Sequence, residues 1–199
     1  MLGLGNLIIK SDLMRRVIYE YKSSFDSTIG DWTIQDSNDV GDEQTVETGQ
    51  NAPGEPTTND WLKITINSDP GAFMLRLDTH TAGDWLPAEY SRKKNDLITI
   101  DYKLHLTGDF GNDEDPVPGL KNIVGTVSKF FFNHNTNSPV PLGTTVETRT
   151  SHKMSGNNWN QSLMIVRSGL YSFADNGPDP GAVIYIKDVC IRLWRYWIN

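Results

Sequence analysis

Cysteine is nearly missing from this 199-residue chain, where Cys190 is the single one. That excludes an intrachain disulfide and a thiolate metal cage. The apolar neighbours of Cys190 assign it to the core. Long apolar runs are missing too. No stretch reaches the roughly 18 residues that a membrane helix needs, so the chain is expected to be soluble, with no membrane insertion. Cations are the minority charge: 18 Lys and Arg stand against 25 Asp and Glu, for a net charge of -7. Phosphate binding draws most of its affinity from clustered Lys and Arg, so nucleic acid is not an expected partner.

Catalytic signatures are absent as well. There is no Gly-x-Ser-x-Gly, no His-Glu-x-x-His and no phosphate-cradling glycine loop, which removes the common local motifs of hydrolases and nucleotide enzymes. His80, His105, His134 and His152 stand apart from one another. Solvated or hydrogen-bonded structural roles suit them better than catalytic or metal-binding ones. Two carboxylates at glycosidase separation could form only through tertiary structure. No catalytic residue is assigned, and the chain is not expected to be an enzyme.

The opening residues, MLGLGNLIIKSD, carry no basic residue ahead of the apolar stretch, and Gly3, Gly5 and Asn6 interrupt it. A secretory signal needs a charged start, an unbroken apolar run and a small-residue cleavage site, so export by this segment is not expected. Terminal segments are ordered only when something ties them down. Residues 1–14 are therefore read as an extended attachment arm. Leu2, Leu4, Leu7, Ile8 and Ile9 would fill a partner's grooves while the backbone pairs with a strand edge.

The rest of the chain is rich in strand signals. Ile98, Ile100, Tyr102, Leu104 and Leu106 alternate with Thr99, Asp101, Lys103 and His105, the pattern of a strand with one face in a core and one in water. Leu62, Ile64 and Ile66 repeat it, as do Phe73, Leu75 and Leu77. Further strands are expected at 14–21, 32–36, 44–48, 123–132, 144–150, 161–168 and 182–197. Between them lie turns rich in Gly, Pro, Asn and Asp, with no apolar 3.6-residue period long enough for a substantial helix. The expected class is all-β. A two-sheet sandwich is favoured, because each half-apolar sheet must cover its inner face, with a closed barrel as the alternative. One domain is expected over residues 15–199, and no internal repeat is visible.

Two long polar segments, 36–60 and 107–121, read as surface excursions with few groups able to stay buried. The second carries Asp109, Asp113, Glu114 and Asp115 followed by Pro116 and Pro118, a stiffened acidic loop. In the last strand Ile184 and Ile186 share one phase, but beyond Lys187 and Asp188 the aliphatics move to Val189, Ile191 and Leu193. A change of phase predicts a β-bulge or a passage between burial environments. Trp194, Arg195, Tyr196, Trp197 and Ile198 form a dense closing cluster, expected to complete the core.

Aromatic residues in polar loops mark candidate ligand sites, since a sugar's C–H face stacks on a flat ring while amides and carboxylates meet its hydroxyls. Trp159 stands between Asn158 and Asn160, and Trp85 follows Asp84. These five are the candidate glycan contacts. The competing reading makes each Trp a plug at the open end of the sandwich, with Asn and Gly simply forming turns. Trp32 and Trp61 begin strands and are expected in the core.

Three phrases resemble the jelly-roll carbohydrate-binding modules of the galactose-binding-like type. They are Phe25–Asp26 followed by Gly30–Asp31–Trp32–Thr33, Asn95–Asp96–Leu97 leading into the alternating strand, and the closing strand from Ala182 to Val189. The resemblance implies a two-sheet jelly roll and glycan binding. It also implies a structural calcium, which Asp26 and Asp188 could help to hold. Lys187 departs from the pattern, because many of these modules carry an Asp at that position, and a cation there weakens such a site. Separately, the Met-Leu-Gly-Leu-Gly opening resembles the start of tailed-bacteriophage virion proteins. That likeness implies a structural protein of the virion, assembled in the host cytoplasm and held by its arm to other virion proteins or copies of itself. Its sandwich would be displayed outward as head decoration, fibre or tail adhesin, with cell-surface glycan as the candidate ligand. The alternative is a free carbohydrate-binding module of a polysaccharide-degrading system.

Overall fold

The computed structural model describes residues 15–35, 44–68, 74–77, 87, 90, 94–108, 125–126, 142–153, 163–167 and 180–196. Their strands are β1 (Arg15–Ser23), β2 (Trp32–Gln35), β3 (Gln44–Gln50), β4 (Trp61–Ile66) and β5 (Met74–Leu77), then β6 (Leu97–Thr107), β7 (Gly125–Thr126), β8 (Thr145–Lys153), β9 (Leu163–Arg167) and β10 (Val183–Tyr196). No α-helix lies among the described residues. The strands form two separate sheets. One has six strands in the order β3-β4-β10-β6-β8, with β1 also paired to β10, and the other has four in the order β2-β5-β9-β7. The chain is thus an all-β, two-sheet jelly-roll sandwich, and the barrel alternative falls away.

β10 organises the larger sheet. Its first part, from Val183 to Ile186, pairs with β4, and from Val189 onward the same edge pairs with β1. β6 runs along its other edge throughout, with a register shift between Lys187 and Cys190. The shift is the bulge that the change of apolar phase predicted. Asp188 adopts the left-handed conformation, with φ 55, which a short polar side chain tolerates better than a β-branched one. One extra residue at this point puts Ile184 and Ile186 on the same inner face as Val189, Ile191 and Leu193, all five at most 1 % exposed. Without it the second aliphatic trio would face outward.

A second irregularity locks the edge. β3 shifts register between Glu47 and Gln50, and Gly49 there has φ 66. Its N–H donates to Phe25 O at 2.6 Å. A Cβ on Gly49 would stand 2.8 Å from Asp26 O, so only glycine allows this approach.

The core lies between the sheets. β4, β6 and β10 supply its aliphatic floor, and Phe25 and Trp32 pack into it. Trp32, the first residue of β2, belongs to the smaller sheet, yet its Nε1–H donates to Ser23 Oγ at 2.7 Å. Both expected core tryptophans are buried, Trp32 and Trp61 alike, but Trp61 lies on the opposite face of the larger sheet, in a separate small cluster with Ala52 and Tyr185.

Four sequence expectations need correction. The polar residues of β6 are not all in water: Thr99 and His105 are buried, because cross-strand neighbours lie over them. The described part of the 36–60 segment is no simple surface excursion: beside the strand expected at 44–48, which forms as β3, it buries Ala52. Of the closing cluster, Trp197 and Ile198 lie outside the described residues, and the two described aromatics do not complete the core. Trp194 and Tyr196 are half-buried, Trp194 donating to Thr99 Oγ1 at 2.9 Å and Tyr196 accepting from Arg15 at 2.7 Å. Cys190 is buried but takes the phase opposite to Val189 and Ile191. It lies on the outer face, where burial pushes its thiol pKa up, and that keeps it unreactive.

Candidate functional site

The candidate glycan contacts Trp159, Asn158, Asn160, Trp85 and Asp84 lie outside the described residues, as do the arm positions Leu2, Leu4, Leu7, Ile8 and Ile9 and most of the acidic 107–121 segment. Asp26 and Asp188 are described. Asp26 is exposed and accepts from Ser24 Oγ at 2.9 Å. Asp188 extends from the β10 bulge to Lys103 Nζ at 2.9 Å.

The side chains around that bulge do not suit a calcium ion, which takes six to eight oxygen ligands. The Asp188 carboxylate is engaged by Lys103, and the preceding Lys187 is itself a buried cation. Its Nζ lies 3.3 Å from Asp60 Oδ1 and 3.4 Å from Thr58 Oγ1, and 4.9 Å from the centre of the Trp61 ring. Among the described residues, no group of three or more His, Cys, Asp or Glu converges on a common point.

Most of the described polar chemistry gathers on the outer face of the six-stranded sheet. There the 51–60 loop folds back over the strands. Asn51 organises it: its Oδ1 accepts from the N–H groups of Thr58 and Asn59 at 2.8 and 2.9 Å, and its Nδ2 donates to Asn59 Oδ1 at 2.7 Å. Glu55 N–H donates to Ala52 O at 3.2 Å. A loop whose own groups satisfy one another in this way behaves as a compact surface unit. Ala52 carries it onto Trp61 and Tyr185, with Val183 beside them. Next to Tyr185 on β6 stands His105, their rings edge to face at 5.8 Å.

The remainder of this face is ionic. Glu20 receives Lys22 at 2.7 Å and Arg192 at 2.6 Å, and the hydrogen bonds from Lys22 and then Arg192 lower its pKa to about 2. Arg192 also reaches Asp101 at 2.5 Å. At the end of β10, in the opposite phase to Arg192 and Trp194, Arg195 grips the buried Asp96 through two contacts, at 3.0 and 2.8 Å. Lys63 pairs with Glu47 at 2.6 Å. These carboxylates are held by cations and tie neighbouring strands together. Sequence reading missed the cluster of Trp61, Tyr185, His105 and Lys187. The available signal was phase, since Tyr185 and Lys187 alternate with the core residues Ile184 and Ile186.

No protein-family model matches the chain, and no curated protein does. Its fold is nonetheless similar to that of carbohydrate-binding-module β-sandwiches. The CBM22-1 xylan-binding domain from Paenibacillus barcinonensis Xyn10C superposes with a TM-score of 0.51 at 15% identity, covering 89% of this chain and 94% of that domain. The CBM22-1-CBM22-2 tandem domain of the same protein gives 0.50 at 16% identity, covering 86% of this chain and 49% of the tandem. At such identities the likeness is one of fold.

Proposed function

We propose that this chain is a non-catalytic glycan-binding module. The carrying observation is the extent of the fold likeness, which takes in nearly the whole of both this chain and a xylan-binding domain. The composition agrees, since motifs for hydrolysis are absent while Trp159 and Trp85 stand in loops rich in amide, carboxylate and glycine. In this reading Trp159, with Asn158 and Asn160, and Trp85, with Asp84, meet the sugar by stacking and hydrogen bonding. The ligand class is a neutral polysaccharide. The virion reading, with residues 1–14 as an anchor, draws no support from the structures compared above.

Affinity electrophoresis against xylan, mixed-linkage glucan, mannan and cellulose tests the proposal. Retardation by at least one of them is expected, and Trp159→Ala or Trp85→Ala should weaken it about tenfold or more, as for a buried aromatic anchor. No retardation on any polysaccharide, with the protein folded, overturns the reading.

A further inference from the structure

His105 is used by nothing in the glycan reading. It is 2 % exposed, although it projects from the outer face of the sheet. Its Nδ1 is 3.0 Å from Thr145 Oγ1 on β8, Tyr185 of β10 closes on its ring, and Nε2 is buried with no hydrogen-bond partner. Tyr185 is in turn covered through the small cluster that the 51–60 loop builds with Ala52.

The geometry points to His105 as a proton-sensitive latch for the 51–60 loop: the loop lies closed over Trp61 and Tyr185 while the imidazole is neutral, and opens when it is protonated. Protonation turns both ring nitrogens into donors. Nδ1 keeps Thr145, but Nε2–H would then carry positive charge into a place with no acceptor, a state favoured only if water enters.

The charged groups around the ring come from every element packed there. Lys103 lies two residues away on the same face of β6, tied to Asp188 at 2.9 Å and within 4.0 Å of Glu147 on β8. Lys187 of β10 is held by Asp60 of the loop, and Lys63 of β4 by Glu47 of β3. Glu55, on the loop, is the carboxylate that acts on the imidazole and favours its charged form, but desolvation outweighs it and the pKa falls below the usual histidine value. The sign follows. A pKa depressed in the closed state means that closure is fully supported above about 6.5, the value of a solvated histidine. As pH drops below that, the opening constant rises up to tenfold per unit until the closed-state pKa is passed.

Hydrogen exchange of the full chain, corrected for intrinsic rates, reads this directly at pH 7.5 and 5.0. The amides of Glu55, Thr58 and Asn59 are expected to lose about tenfold in protection at the lower pH, while those of β6 and β10 keep theirs. In His105→Gln the loop's protection should no longer respond to pH. A purely packing role would lower protection equally at both values. Unchanged protection in the wild type, or the same loss in the variant, overturns the proposal. Should His105→Gln fail to fold, an NMR titration decides: the ring resonances of His105 and the amide shifts of residues 51–60 must share one midpoint, and separate midpoints overturn it.

Discussion

Trp32 and Ser23 join the two layers of the sandwich through its core. The indole of Trp32 starts a strand of the smaller sheet, and its Nε1–H reaches Ser23 Oγ, at the end of β1 in the larger one, at 2.7 Å. The pair combines a large buried apolar surface with a satisfied polar atom. Trp32→Ala should therefore cost about 3–5 kcal/mol. Ser23→Ala leaves the indole N–H without its acceptor and should cost about 1–3 kcal/mol. Urea unfolding of the two variants measures both, and a smaller loss in Trp32→Ala than in Ser23→Ala would contradict the assignment.

The β10 bulge makes a sharper test, because it concerns register. Asp188 is the extra residue that restores Val189, Ile191 and Leu193 to the core side. Deleting it moves all three to the outer face and brings Cys190 and Arg192 inward, so the deletion should abolish cooperative unfolding. Asp188→Gly keeps the residue count and relieves the positive φ, while giving up an exposed ion pair worth little. Its stability should stay within about 1 kcal/mol of the wild type. Circular dichroism melts of the two proteins separate these outcomes.

Much of this could be read in advance, and the reason lies in period. The alternation of β6 and the phase change of β10 are both patterns along one strand, so the sequence displays them directly. Pairings between distant segments are not displayed. Nothing in residues 15–23 announces that β1 will continue the edge that β4 leaves at the β10 bulge. The 51–60 loop escaped notice for a different reason. It is polar in composition, but Asn51, Thr58 and Asn59 satisfy one another, so it can cover Trp61 without stranding backbone groups. His105 and Thr99 read as solvent-facing because alternation tells which face a residue takes, not what covers that face. The aromatic-loop candidates Trp85 and Trp159 were found by composition alone and lie outside the described residues.

Lys187 offers a test of whether a metal supports this end of the fold. Its ammonium already faces Asp60, Thr58 and the Trp61 ring. Chelation with EDTA should therefore leave Tm unchanged. Lys187→Met, which keeps the apolar stem and removes the charge, leaves Asp60 without this partner. It should lower stability by about 1–3 kcal/mol, or roughly 2–4 °C in Tm for each kcal/mol in a chain of this size. A large fall in Tm on chelation would show that a bound ion, and not the lysine, carries the load.

Gly49 should resist replacement. Alanine there meets a backbone oxygen, Asp26 O at 2.8 Å, and must also adopt φ 66. That oxygen belongs to the backbone and is no flexible side-chain end that can swing away. Gly49→Ala should destabilise by about 1–3 kcal/mol, measured by denaturant midpoint, whereas Gly54→Ala carries only the strain of its positive φ, because nothing lies within 4 Å of its Cβ position.

Acid should weaken the ionic side of the outer face through Glu20. Its carboxylate is held at a pKa of about 2, well below its ordinary value of 4.5, by hydrogen bonds from Lys22 and Arg192. The folded chain thus binds this proton less readily than the unfolded one. Its contribution is complete above about pH 4.5 and disappears as pH falls toward 2. The group is exposed, so solvent screens the pair and salt reduces the effect further. Comparing the wild type with Glu20→Gln isolates it from the other carboxylates. The wild type should melt higher at pH 6 in low salt, the gap should narrow steadily between pH 4.5 and 2, and added salt should narrow it at pH 6 as well. A gap that stays constant down to pH 2 would mean that Glu20 stabilises through packing and not through its charge.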